Sequence, residues 1–355
     1  MHILRALAWK KENLKRVDIY IFSSFQGSEE IYNRLVEVKK CRNVYYIKKE
    51  EYSAKTSVDV IYRLIRRGKL RKLLKKVKYD KIYFFNSTYV LNTLVFTLAS
   101  KNNPNLELNY VEDCPTLFDN EFYEWDWNWK MKLIFPLIGM KNPAQFIHNY
   151  WFSAPEYMNY RGRAKVCKLP KISRKDKSLK NLINQVFEYN PIGIENRDLI
   201  IMEESFFQDQ RLLGNEDYII FNKIRERFPK KNIVLKLHPR TEKDRFSSKF
   251  CVIGKQNIPW EVILLNNDCS NICILSISCT TMVSGNLLFG DEPYIVYLYP
   301  LFKNIICTGK ELYFNDALEK NLEKILELYH RKEKIKIIHK EEELFNYLEN
   351  LWKET

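Results

Sequence analysis

An α/β protein of GT-B-like architecture is what the sequence predicts: two doubly wound Rossmann-like domains facing a central cleft. Three observations lead there. Short apolar runs alternate with stretches of helical periodicity along most of the chain, the pattern of βαβ units and a mainly parallel sheet. The alternation is broken over residues 168–197, rich in Lys, Asn and Pro, and then restarts. A chain of 355 residues also exceeds one ordinary core, so two domains are expected. The predicted limits are an N-terminal acceptor-side domain over 1–167, a linker over 168–197, and a C-terminal nucleotide-donor domain with closing helices over 198–355.

Each element follows from local pattern. Leu4 to Lys15 reads as a helix, ahead of a strand from Asp18 to Ser24. A helix carrying Ile31, Leu35 and Val36 leads to a strand over Val44–Lys48. A basic helix is predicted over 57–77, with Val60, Leu64, Leu70 and Leu73 inside and its Lys and Arg residues outside. A strand over Asp80–Asn86, a helix over 89–100 and a strand over Leu106–Val111 complete the first half. After a short helical pattern within the linker, strands are predicted at 199–202, 233–237, 272–276 and 294–297. Helices are predicted at 215–228, 281–290, 314–330 and 340–353.

Composition narrows the partners. The N-terminus turns charged before an apolar signal core can form. The apolar stretch Leu133–Met140 is far short of the ~18 residues that span a bilayer. A cytoplasmic protein is expected. Eight cysteines form no CxxC pair, which favours reduced thiols over disulfides or a metal site. The net charge of +14 suits a polyanionic partner such as nucleic acid, an anionic membrane or a phosphorylated substrate. A lysine-biased solvated surface explains the same number equally well. Against nucleic acid, no recognition-helix, zinc or RNA-binding signature is present.

Three motifs at predicted strand ends could carry chemistry. Glu112-Asp113 closes an apolar strand and is followed by Cys114-Pro115. Adjacent carboxylates can raise one pKa and suit a general base, or they can simply cap the next helix. Lys236, His238 and Arg240 alternate along an extended segment fixed by Pro239, so imidazole and cations would project together at a phosphate. Ser276-Ile277-Ser278-Cys279-Thr280-Thr281 closes a strand before a predicted helix, where hydroxyls and unpaired N–H groups hold a phosphate or cap the helix.

An acidic pair, then His-Pro, then a Ser/Thr run resembles the motif set of bacterial sialyltransferases. The form KLHPR and the segment Ile201-Met-Glu-Glu-Ser-Phe-Phe-Gln-Asp209 are most similar to glycosyltransferase family 52, which includes lipooligosaccharide sialyltransferases. The resemblance spans roughly residues 80–300. It implies inverting transfer of sialic acid from CMP-sialic acid to a terminal sugar of a lipooligosaccharide or capsule, without a metal or other cofactor. His238 would contact the CMP phosphate and assist its departure. Ser278, Thr280 and Thr281, with Ser276, would hold that phosphate, and Asp113 with Glu112 would deprotonate the acceptor, Asp209 standing in reserve.

Three departures stand out. Cys114 occupies the place of the motif's glycine, the Ser/Thr pair is spread over 278–281, and the opening strand is missing. Other enzymes using nucleotide-activated sugars or polyol phosphates, and an inactive relative, share these features. Trp125, Trp127 and Trp129 precede a basic apolar segment. They are either a lid packed on the groove, contacting acceptor, or an anchor on an anionic membrane where a glycolipid acceptor is presented. Peripheral association with the inner membrane, and a homodimer, are compatible with this reading.

Overall fold

The computed structural model describes residues 2–23, 25–48, 68–74, 77–85, 90–112, 129–157, 162–194, 197–212, 214–241, 244–254, 257–309, 311–314 and 316–354. The chain forms two compact units, one of Glu12–Pro170 and the other of Ile3–Lys11 with Lys171–Thr355. The opening helix α1 (His2–Trp9) thus belongs almost entirely with the second unit. Leu4 and Leu7 are buried, and Lys11 pairs with Asp176 of that unit.

In the first unit β1 (Asp18–Phe22) and β2 (Asn43–Ile47) pair in parallel, joined by α2 (Ser28–Val38). No strand precedes β1 among the described residues, as the opening helical pattern predicts. Ile31 and Leu35 are buried in α2, but Val36, expected beside them, is 43% exposed. One residue on from Leu35 is about 100° round the helix, off the ~100°-wide apolar stripe. Of the basic helix expected over 57–77, α3 (Gly68–Leu74) is described and buries Leu70; Val60 and Leu64 lie outside the described residues.

Then come β3 (Lys81–Phe84), α4 (Val90–Asn102), β4 (Glu107–Val111), α5 (Trp129–Leu137), β5 (Ile147–Phe152) and β6 (Lys165–Lys168). β3 to β6 form a four-stranded parallel sheet in that order. From Leu91 to Ser100 every residue of α4 is buried, the signature of a helix enclosed by its core. β5 and β6 were not foreseen. Polar His148 and Asn149 interrupt the apolar run of β5, and β6 is an edge strand with exposed Lys165 and Lys168 at its ends, a usual protection of open edges.

After α1 the second unit continues with α6 (Lys177–Phe187), the short helix that the pattern within the linker predicts. Asp176 caps it by accepting from the Leu179 N–H at 3.0 Å. There follow β7 (Leu199–Met202), α7 (Glu216–Arg227), β8 (Ile233–Lys236), β9 (Cys251–Val252), α8 (Trp260–Asn266), β10 (Cys273–Ser276) and β11 (Tyr294–Tyr297). A two-strand hairpin over 307–312, a helix Asp316–Glu327, a further strand Ile335–Ile337 and a last helix Glu341–Glu354 close the chain. The main sheet is parallel, ordered Ile335–Ile337, β11, β10, β7, β8, β9. Counted along the unit, that is the 3-2-1-4-5-6 order of a Rossmann fold. β7, β8 and β10 are buried at every position, which is why they read as unbroken apolar runs.

The helical segment expected over 281–290 is present but irregular. Thr280–Val283 forms a 3₁₀ turn and Gly285–Phe289 a π turn, stopped by Gly290 at φ 86°. The main sheet of each unit is therefore parallel in an α/β setting, as the alternation predicts. Among the described residues no helix is long and apolar enough to cross a membrane.

Candidate functional site

Strand order reverses at the centre of the second unit's sheet, where β7 lies between β8 and β10. Chains leave such neighbours in opposite directions, which opens a crevice beyond their carboxyl ends where ligands bind in open α/β sheets. Three exits converge there: Glu203-Glu204-Ser205 after β7, Leu237-His238-Pro239-Arg240 after β8, and Ile277-Ser278-Cys279 after β10.

Glu203 ties the first exit to the second. Its carboxylate accepts from the backbone N–H of His238 at 3.0 Å and from Thr241 Oγ1 at 2.7 Å. Burial raises its pKa, against those two hydrogen bonds. Glu204 ties the first exit to the third. Its oxygens lie 2.7 Å from the Ser278 N–H, 2.8 Å from Ser278 Oγ and 2.9 Å from Ser276 Oγ. Burial pushes Glu204 up to about 7, the serine hydrogen bonds opposing.

His238 is half-buried. Its Nδ1 accepts from the Arg240 backbone N–H at 3.1 Å, so the neutral ring carries its proton on Nε2. Burial first, then the charges of Arg240 and Lys236, lower its pKa to about 4. At neutral pH the imidazole is an uncharged N–H donor. Arg240 donates to Ser205 Oγ at 2.8 Å and pairs with Asp209 at 3.1 Å, while Ser205 donates to Asp209 at 2.7 Å. The guanidinium stays largely exposed, its side chain 64% accessible, so an arriving anion can compete with Asp209 for it.

Lys236, expected to project with His238 and Arg240, is instead buried, and its Nζ donates to the Leu237 carbonyl at 3.1 Å. Burial lowers its pKa to about 8 despite the carboxylates of Glu261 and Glu203. It adds positive potential from beneath the crevice rather than a surface contact. Pro239 is exposed between them. Thr280 and Thr281 are partly exposed in their 3₁₀ turn, and Thr281 Oγ1 lies 2.8 Å from Cys279 Sγ. Arg211 lies over the ring of Tyr313, 4.9 Å from its centroid, and the Tyr313 hydroxyl senses Glu204, Arg211 and Arg240.

The other predicted residues are more scattered. Glu112 is buried at the end of β4, its carboxylate accepting from the Ser153 N–H at 2.9 Å. Asp113, Trp125 and Trp127 lie outside the described residues. Trp129 opens α5 and is 68% exposed. Asp217, at the start of α7, is buried and held by Arg245 through contacts of 2.6 and 3.1 Å. Glu203 and Glu204 stand outside the three motifs at predicted strand ends. They carry the same signal as residues 112 and 113, two acids directly after an apolar strand. Among the described residues no group of three or more His, Cys, Asp or Glu is placed to hold a metal ion.

The model of the family described as Alpha-2,8-polysialyltransferase (POLYST) matches residues 7–298. Among solved structures the chain is similar to a sialyltransferase from Photobacterium damsela, at 12% identity and a TM-score of 0.44, over 95% of this chain and 78% of that one. It is also similar to the UDP-GlcNAc 2-epimerase from Methanocaldococcus jannaschii, at 14% identity and a TM-score of 0.38, over 94% of this chain and 100% of that one. No curated protein sequence matches the chain. The family match covers both units and every motif read from the sequence, and it bears out the sialyltransferase resemblance: the chain belongs to the alpha-2,8-polysialyltransferase family and is a glycosyltransferase of sialic acid.

Proposed function

We propose that the enzyme transfers sialic acid from CMP-sialic acid to a terminal sugar of a bacterial surface glycan, a lipooligosaccharide or capsule, with inversion and without a metal. The observation that carries this reading is the meeting of His238, Arg240 and the 276–281 hydroxyl turn at the crevice where strand order reverses. There the donor's phosphate would lie beside the exposed Arg240 guanidinium and the His238 Nε2–H, with the hydroxyl turn completing the cradle.

In the reaction the bond from the sialyl anomeric carbon to the phosphate oxygen breaks, and the acceptor oxygen bonds to that carbon from the opposite side. The phosphate oxygen keeps the electron pair. The glycosidic bond to CMP is already activated, so stabilising this departing charge supplies most of the rate. A bound phosphate also raises the imidazole's proton affinity, because an anion then stands where Arg240 and Lys236 otherwise repel the charged ring. The acceptor proton goes to Asp113, with Glu112 holding the end of its strand to Ser153; Asp209 is the reserve base. Thermal unfolding with and without CMP tests the donor site: protection by CMP and none by UMP supports the reading, and no protection by CMP removes it.

Peripheral binding to an anionic inner membrane is part of the same proposal. Its support is an exposed apolar stripe on α5, where Trp129 is 68%, Leu133 64% and Leu137 86% exposed at four-residue spacing, with Lys132 exposed alongside. Positions i, i+4 and i+8 share one helix face. Tryptophan and leucine there can enter the headgroup region, while lysine and the net charge of +14 attract anionic lipid.

A further inference from the structure

The turn expected to receive phosphate is already occupied. Glu204 takes the Ser278 N–H and the Ser278 hydroxyl, two donors a phosphate would need. Ser276 adds a constraint. Its Oγ lies 2.7 Å from the Met202 carbonyl and 2.9 Å from Glu204, yet a hydroxyl has one proton to give. Ser276 can therefore donate to only one of the two at a time.

We propose that Glu204 is a positioning residue of the donor site, whose carboxyl clamps Ser276 and Ser278 and leaves Thr280 and Thr281 to meet the donor phosphate. This rests on the reading that the crevice takes a CMP donor. The clamp joins the ends of β7 and β10 across the reversal, so it sets where the following 3₁₀ turn begins. Thr280 and Thr281 are the partly exposed hydroxyls next along that turn. The neutral carboxyl suits the task, because an ionised Glu204 would set a negative charge beside the incoming phosphate.

Charge at Glu204 therefore couples to anion binding. Burial holds Glu204 near 7, so it ionises within the working range, and binding of an anionic donor weakens as pH rises through that value. Its neighbours are accounted for on each side. Cys279 on the turn is pushed up to about 12, and Tyr297 of β11 and the nearby Tyr313 are raised above the ordinary phenol value. All three stay neutral. On the side of β8, His238 is neutral with its pKa near 4, Lys236 titrates near 8, and Arg240 is paired with Asp209. Glu203 is engaged by His238 and Thr241, and Arg211 lies over the ring of Tyr313. Lys236 and the phosphate of CMP titrate alike in wild type and in a Glu204 variant, so the difference between the two isolates Glu204.

The experiment is calorimetric binding of CMP and of cytidine from about pH 6 to about pH 8.5, to wild type, Glu204→Gln and the pair Thr280→Val/Thr281→Val. Expected is a loss of CMP affinity of about tenfold in wild type beyond the change seen in Glu204→Gln, with cytidine affinity flat in both. The threonine pair should lose about tenfold or more for CMP and little for cytidine. Parallel CMP profiles in wild type and Glu204→Gln would overturn the proposal, as would normal CMP binding by the threonine pair. If Glu204→Gln does not fold, Ser276→Ala reads the same coupling. Loss of the Ser276 contact moves the inflection, whereas an inflection that stays in place contradicts the clamp. Absence of CMP binding by folded wild type at every pH sinks the donor-site reading itself, and this proposal with it.

Discussion

The backbone N–H of Arg240 donates to Nδ1 of His238 at 3.1 Å, and this one contact decides what the imidazole can do. It fixes the proton on Nε2 and turns that nitrogen toward whatever the ring meets next. His238→Ala is expected to lower turnover by at least about 100-fold with the fold intact, as for loss of a transition-state donor. Steady-state CMP release beside circular dichroism checks this. Near-normal release from a folded variant would remove His238 from the reaction.

The same ring makes stability depend on pH. Its ordinary pKa is 6.5 and burial lowers it to about 4 in the folded protein. Between those values the unfolded chain holds a proton that the folded chain does not, so this residue's contribution raises stability as pH rises from about 4 to 6.5. His238→Gln should flatten that part of the urea-midpoint profile. CMP should shift the wild-type inflection upward, because the bound anion favours the charged ring. An unchanged profile in the variant would show that the ring is not the group withheld from protonation.

The proposed base is separable from the donor site. Asp113→Asn should abolish transfer to acceptor and retain CMP affinity within about threefold, since it removes a proton acceptor rather than a phosphate contact. Asp209→Asn should instead alter CMP affinity, because Asp209 is the partner of Arg240. Normal transfer by Asp113→Asn with loss in Asp209→Asn would move the base to the second unit.

Membrane binding is expected to follow the stripe on α5. Leu133→Asp/Leu137→Asp should reduce co-sedimentation with anionic vesicles several-fold, and salt should weaken wild-type binding, as lysines contribute about 1 kcal/mol each near such a surface. Equal and negligible binding to anionic and neutral vesicles at low salt would remove the membrane from the account.

The second unit was the more legible one because its strands are buried on both faces. Runs such as Ile233-Val-Leu and Cys273-Ile-Leu announce a parallel sheet whatever surrounds them. His238 and Arg240 were legible for a related reason, being polar residues at the end of such a run. Lys236 misled because alternation gives a side but not a depth: it shares the side of His238 yet is buried beneath the crevice. β5 is hidden by polar residues whose partners lie across the sheet on β4. Asn149 donates to Glu107 and Asn109, both at 2.9 Å, and His148 accepts from the Leu108 N–H at 3.1 Å. The clamp made by Glu204 could not be read at all, since its partners lie more than 70 residues away in the chain.

The central claim is that this chain moves sialic acid from a CMP donor. Its most direct measurement is product formation by the purified enzyme with CMP-sialic acid, UDP-sugars and CDP-polyols offered side by side to a sialylated oligosaccharide acceptor. Predicted is release of CMP matched one for one by acceptor extended with sialic acid, without added metal, and no product from the other donors. Extension from a UDP-sugar or CDP-polyol, with CMP-sialic acid left intact, would contradict the account.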